Sequence, residues 1–133
     1  MNRLHLDTSA LIALADPGGA VLIAVHRSCV AGILPEASAI AWHEFVRGPL
    51  TSDELLRVER VLDGRVTPVR RSTAELAARL FNATGRRRAS TADCLIAAGA
   101  IEAGAGLLTL NTADFELFRP FGLQLAGEAG AHE

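Results

Sequence analysis

Asp7, Glu44, Asp93 and Asp114 are four acids spread along the 133 residues of this chain. Each is set among apolar or small residues, where an unpaired charge is costly. Leu4-His5-Leu6-Asp7-Thr8-Ser9-Ala10-Leu11-Ile12 puts an acid where a strand-like run meets a helix-like one. Asp93 opens an almost wholly apolar helical stretch, Cys94-Leu95-Ile96-Ala97-Ala98. Asp114 follows Leu107-Leu108-Thr109-Leu110-Asn111, a strand leading into polar residues. Two unit charges ~4 Å apart repel by about 4 kcal/mol at an effective dielectric of ~20. If the fold gathers these carboxylates, it therefore creates a demand for a cation, and an all-oxygen donor set suits a hard divalent ion.

Each acid also has a local role open to it. Asp7 can N-cap the helix that begins at Thr8. Asp93 can complement the positive end of its helix behind a Ser90 or Thr91 cap, and Glu44 can do the same in a helix first turn. Asp114 can cap a short turn running through Phe115 to Phe118. Their joint occurrence is more informative than any one position.

The elements that must position these acids follow from hydrophobic period and punctuation. Residues 3–6 read as a buried strand, and Ser9 to Ala15 as a helix stopped near Asp16-Pro17-Gly18-Gly19. A second helix spans Ala20 to Val30, with Val21, Val25 and Cys29 on one side. Ala37 to Ala41 reads as a strand leading into a helix start at Trp42-His43-Glu44-Phe45-Val46. Thr51-Ser52-Asp53-Glu54 has the pattern of a capped helix entrance. A strand over Arg65 to Val69 precedes a helix from Ser72 through Phe81. After a loop from Thr84 to Ser90 comes a helix over Thr91 to Ala103, then a strand over Leu107 to Leu110 and a weaker one near Leu123 to Leu125. Strands that are apolar throughout and alternate with helices imply a parallel sheet covered on both faces. The expected architecture is one three-layer α/β/α domain with a mainly parallel central sheet over residues 1–125, followed by a frayed glycine- and alanine-rich tail at 126–133.

Half of the chain is apolar, which suits a compact domain and excludes a disordered one. Cys29 and Cys94 lie far apart in apolar runs, as expected of reduced thiols in a cytoplasmic protein. No apolar run approaches the ~18 residues of a membrane span. The formal net charge is −2, from 13 basic residues against 15 acidic ones. Every basic residue is an arginine, and setting the four candidate acids aside leaves 11 acids, a balance of +2 for the rest of the molecule. That balance is compatible with a phosphate-rich partner.

Taken in series, these segments resemble the PIN-domain ribonucleases, and among them the compact VapC-type toxins of bacterial type II toxin–antitoxin pairs. Leu6-Asp7-Thr8-Ser9-Ala10-Leu11 resembles the family's opening motif. Glu44-Phe45-Val46-Arg47-Gly48 resembles its Glu-x-x-x-Gly segment, and Asp93-Cys94-Leu95-Ile96-Ala97-Ala98 its Asp-x-x-Ile-Ala-Ala helix. Thr109-Leu110-Asn111-Thr112-Ala113-Asp114-Phe115 resembles its closing Thr-x-Asn-x-x-Asp-Phe. The resemblance implies a catalytic pocket of Asp7, Glu44, Asp93 and Asp114, with Asp7, Asp93 and Asp114 as ligands of Mg²⁺ or Mn²⁺. It implies that Thr8, Ser9 and Asn111 orient the ligands or a substrate phosphate. It further implies an RNA substrate cut to leave a 5′-phosphate, a homodimer, and a cognate antitoxin whose flexible segment wraps the protein. The basic turn Gly85-Arg86-Arg87-Arg88 has no counterpart in that pattern and reads as a solvated loop or as a contact for the RNA backbone.

Other reactive residues have plainer readings. Trp42 at a strand-to-helix junction suits core packing better than base stacking. His5, between Leu4 and Leu6, and His43, beside Trp42, read as structural. Cys94 has no positive neighbour to lower its pKa and reads as a small core residue rather than a nucleophile. The competing functional class is a non-enzymatic Mg²⁺-binding module resembling a signalling receiver. A receiver would want paired early acids and a late lysine, and the chain contains no lysine.

Overall fold

A computed structural model describes residues 2–84 and 90–126. The basic turn at 86–88 and the tail beyond Ala126 lie outside the described residues. Among the described residues, five parallel strands form one sheet in the order β3-β2-β1-β4-β5. They are β1 (Arg3–Leu6), β2 (Leu34–Ser38), β3 (Val66–Thr67), β4 (Gly106–Leu108) and β5 (Gln124–Leu125). The intervening helices are α1 (Thr8–Leu14), α2 (Ala20–Val30), α3 (Ala39–Val46), α4 (Ser52–Leu62), α5 (Arg71–Ala83), α6 (Thr91–Ala103) and α7 (Thr112–Phe115). A 3₁₀ helix over Glu116–Phe121 follows α7.

The centre of the sheet carries the reason for its two-sided cover. Successive side chains of a strand point to opposite faces. Leu4, His5 and Leu6 are all buried, so helices must cover both faces of β1. This is the α/β/α arrangement expected from the unbroken apolar strands. The polar exception is compensated by the neighbouring strand. Arg3 donates two hydrogen bonds of 2.7 Å to the Glu36 carboxylate on β2, and His5 Nε2 lies 3.2 Å from the same group. Register pairs His5 with Glu36 directly, which ties β1 to β2 through side chains as well as backbone.

Most expected elements stand within a residue or two of their sequence-based bounds. Thr51 caps α4 in a reciprocal capping box with Glu54, and Ser90 caps α6. One boundary differs with consequence. Ala37 to Ala41 is not a strand throughout; β2 ends at Ser38, and α3 begins at Ala39. The Ser38 hydroxyl accepts the Ala41 N–H at 3.2 Å, so a small polar residue inside an apolar run is the helix cap. Among the described residues, no helix is long and apolar enough to cross a membrane.

Candidate active site

In open parallel sheets, ligand sites form beyond the carboxyl ends of the strands, where connections leave in opposite directions. Here the strand order changes direction between β1 and β4, which pair in parallel with Leu6 opposite Leu108. Asp7 follows β1 at that point, and Thr109 follows β4. The Asp7 N–H continues the ladder by donating to the Leu108 carbonyl at 3.2 Å.

Asp7 is only 3 % exposed. It does N-cap α1, through an Ala10 N–H bond of 2.9 Å to Oδ1. The same Oδ1 accepts the Ser9 hydroxyl at 2.7 Å, and Oδ2 accepts the Thr109 hydroxyl at 2.5 Å. Ser9 thus touches Asp7 directly. Thr8, the first residue of α1, reaches the other way and donates to Glu44 Oε1 at 2.5 Å.

Because α3 starts early, Glu44 lies in its last turn and not in its first. Its local helix-end role therefore disappears, since acids complement the other end of a helix. The Arg47 guanidinium stands 3.9 Å from Glu44 Oε2 and is largely exposed. Gly48, the glycine of the Glu-x-x-x-Gly segment, has φ +74°, and a Cβ added there would lie 2.9 Å from the Leu50 backbone nitrogen. That turn requires glycine.

Asp93 occupies the first turn of α6, whose Cys94, Ile96, Ala97, Ala98 and Ala100 are buried. Burial pushes the Asp93 carboxyl above its ordinary value. The Ser90 hydroxyl counters this, and the negative charges of Asp114, Asp7 and Glu44 each push it further up. One carboxylate thus feels all three of the others. Asp114 lies in α7, exposed, and does not cap it; Asn111 occupies the cap position without a side-chain bond. Asn111 makes its contacts through the backbone: its N–H donates to Thr109 Oγ1 at 2.9 Å, and its carbonyl accepts the Asp114 N–H at 3.0 Å.

Among the described residues, no three His, Cys, Asp or Glu side chains are close enough to grip an ion as they stand. The four acids are neighbours at electrostatic range, with Asp7 and Glu44 tethered by hydroxyls. Their chemistry nevertheless fits a hard divalent cation. The donors are all carboxylate oxygens, and the strain on Asp93 is the kind that a cation between these charges relieves.

Cys94 is buried, and its thiol is pushed up by burial and by Asp93, so the nucleophile reading fails on electrostatics. Both cysteines are free. Trp42 packs on Phe45 with ring centroids 5.5 Å apart, as a core residue does. His43 is exposed, whereas His5 is buried on Glu36. Sequence reasoning did not single out Thr109. Its threonine stood in the closing motif, but nothing local showed that its partner lies 102 residues away.

A family model of the PIN domain matches residues 4–118. The chain belongs to the PIN-domain family. PIN domains are a family of nucleases, and the match covers all four acid segments. No curated protein matches the chain. Among solved structures, this PIN domain is similar to VapBC2 from Rickettsia felis bound to a promoter DNA fragment, at 17 % identity and a TM-score of 0.73, covering 92 % of this chain and 96 % of that one. It is similar to VapBC-1 from nontypeable Haemophilus influenzae at 22 % identity and a TM-score of 0.67, with the same coverage of 92 % and 96 %. A third is VapBC-5 from Mycobacterium tuberculosis, a member of a toxin–antitoxin family, at 24 % identity and a TM-score of 0.61, covering 89 % and 91 %. At such identities the likeness establishes a shared fold over nearly the whole length of each chain.

Proposed function

We propose that this PIN domain is a Mg²⁺- or Mn²⁺-dependent endoribonuclease that acts as the toxin of a toxin–antitoxin pair. The observation that carries the reading is the position of Asp93, half-buried and burdened by the charges of Asp114, Asp7 and Glu44 at the carboxyl edge of the sheet.

Asp7, Asp93 and Asp114 would hold the metal through carboxylate oxygens. When bound, the ion supplies Lewis-acid polarisation of a phosphodiester oxygen and charge neutralisation for the leaving oxyanion. The side chains have distinct tasks around it. Ser9 and Thr109 keep the Asp7 carboxylate from rotating. Thr8 holds one oxygen of Glu44, leaving the other to orient or deprotonate an attacking water. Arg47, exposed beside Glu44, offers a cation for an incoming phosphate. A substrate must present its backbone to this edge, which favours single-stranded or looped RNA over a regular duplex.

The toxin role and the cognate antitoxin are supported by the common fold with VapBC proteins; a homodimer is part of the same proposal. Ile12, Ile23 and Val30 leave apolar surface exposed on α1 and α2, which supports self-association through the early helices. The test is cleavage of single-stranded RNA by the purified protein. Activity should require Mg²⁺ or Mn²⁺, stop with EDTA, and fall by at least about 100-fold in Asp7→Asn, since disturbing even the groups behind a metal ligand costs about 10- to 100-fold. Cleavage indifferent to EDTA and to Asp7→Asn refutes the assignment.

A further inference from the structure

Asp7 is held by more hydrogen bonds than an N-cap requires, and their distribution over its two oxygens is unequal. A carboxylate oxygen has two in-plane lone pairs. Oδ1 accepts the Ser9 hydroxyl at 2.7 Å and the Ala10 N–H at 2.9 Å, so both of its acceptor positions are taken. Among the described residues, Oδ2 accepts the Thr109 hydroxyl alone, at 2.5 Å, which leaves it one lone pair. The two hydroxyls also lie 3.5 Å from each other, but each is much closer to the Asp7 carboxylate. Thr109 Oγ1 accepts the Asn111 N–H at 2.9 Å and Ser9 Oγ accepts the Leu110 N–H at 3.0 Å, which turns both O–H groups toward the carboxylate. Asp7 and Thr109 are 3 % and 4 % exposed, so these bonds are short, charge-assisted and shielded from water.

We infer that Asp7 is a monodentate ligand, binding a divalent cation through Oδ2 alone, and that Thr109 is the positioning residue that holds this oxygen for the ion. The inference rests on the metal-dependent nuclease reading above and adds a residue and an atom to it. Thr109, Leu110 and Asn111 also lead into α7, which carries Asp114. The two backbone N–H bonds therefore fix the start of the Asp114 segment to the same clamp that fixes Asp7. Orientation of one ligand and delivery of another depend on a single short stretch of chain.

Calorimetric titration of Mn²⁺ into the full chain tests this without relying on turnover. Thr109→Val keeps the shape and removes the hydroxyl. It should weaken Mn²⁺ binding by about 10- to 100-fold, as expected when a group orienting a metal ligand is lost. Thr109→Ser restores the donor and should bind within a few fold of the unaltered protein. Equal Mn²⁺ affinity in folded Thr109→Val overturns the inference. A crystal structure of the unaltered protein soaked in Mn²⁺ decides the matter even if the valine variant fails to fold. Ligation through Oδ2 only, with Oδ1 still bonded to Ser9 and Ala10, is the expected result; bidentate ligation or ligation through Oδ1 overturns it. Absence of Mn²⁺ binding to the unaltered protein would bring down the nuclease reading itself, and so separates the two failures.

Discussion

At the scale of single residues, the site trades stability for charge. Asp93 is held above its ordinary value of 3.8 by burial and by three other carboxylates, against the help of Ser90. The folded chain therefore holds the Asp93 proton more tightly than the unfolded chain does. Its contribution to stability is present at acidic pH and is lost as pH rises through the raised value. Replacement by an uncharged side chain of the same shape removes that burden. Asp93→Asn should raise the thermal midpoint of the metal-free protein at pH ~7 while abolishing RNA cleavage, the usual opposition of stability and activity at a strained site. Calorimetry in EDTA checks this, and a lowered midpoint contradicts it. The acids themselves were legible residue by residue, because a carboxylate in apolar company needs a reason. Thr109 was not legible, because a threonine after a strand is ordinary until its partner across the sheet is known.

At the scale of elements, β1 and β4 do the positioning, since one ends at Asp7 and the other at Thr109. Leu107 is fully buried in β4, paired with His5 on one side and Leu125 on the other. Leu107→Ala should destabilise the fold by about 2–5 kcal/mol, the range for a buried leucine whose cavity cannot fully collapse. Thr51→Ala, which removes the capping-box partner of Glu54 at the start of α4, should cost about 1 kcal/mol and leave cleavage unchanged. Urea unfolding measures both. Helices with strong punctuation, such as α4 and α6, were readable from sequence to within a residue. The β2–α3 junction was not, because Ala37-Ser38-Ala39-Ile40-Ala41 contains no glycine or proline and its apolar run suits either period. The Ser38 cap resolved it and moved Glu44 from the start of a helix to its end.

At the scale of the whole molecule, the cross-strand group Arg3–Glu36–His5 gives the domain its response to acid. Burial lowers the His5 pKa below its ordinary 6.5, with Glu36 opposing and Arg3 assisting. Burial alone would raise Glu36, but the Arg3 hydrogen bonds and charge, with His5, more than offset it and bring the carboxyl below 4.5. Both groups therefore contribute stability above their ordinary values and lose it as pH falls, first below 6.5 for His5 and then below 4.5 for Glu36. Asp93 titrates in the opposite sense. Denaturant unfolding of Asp93→Asn should consequently show a steeper loss of stability from pH 7 to pH 4 than the unaltered chain; equal slopes would remove Asp93 from the account.

Composition, period and punctuation determined the fold class, because alternating apolar strands and capped helices have few ways to bury their faces. The order and spacing of the acid motifs determined the family. Only the tertiary structure decided which hydroxyl meets which carboxylate, and which carboxylate bears the repulsion of the rest. Those are contacts between residues up to 102 positions apart. Local pattern records the preference of a residue for a strand or a helix; it carries no information about the partner brought to it by parallel pairing of β1 with β4.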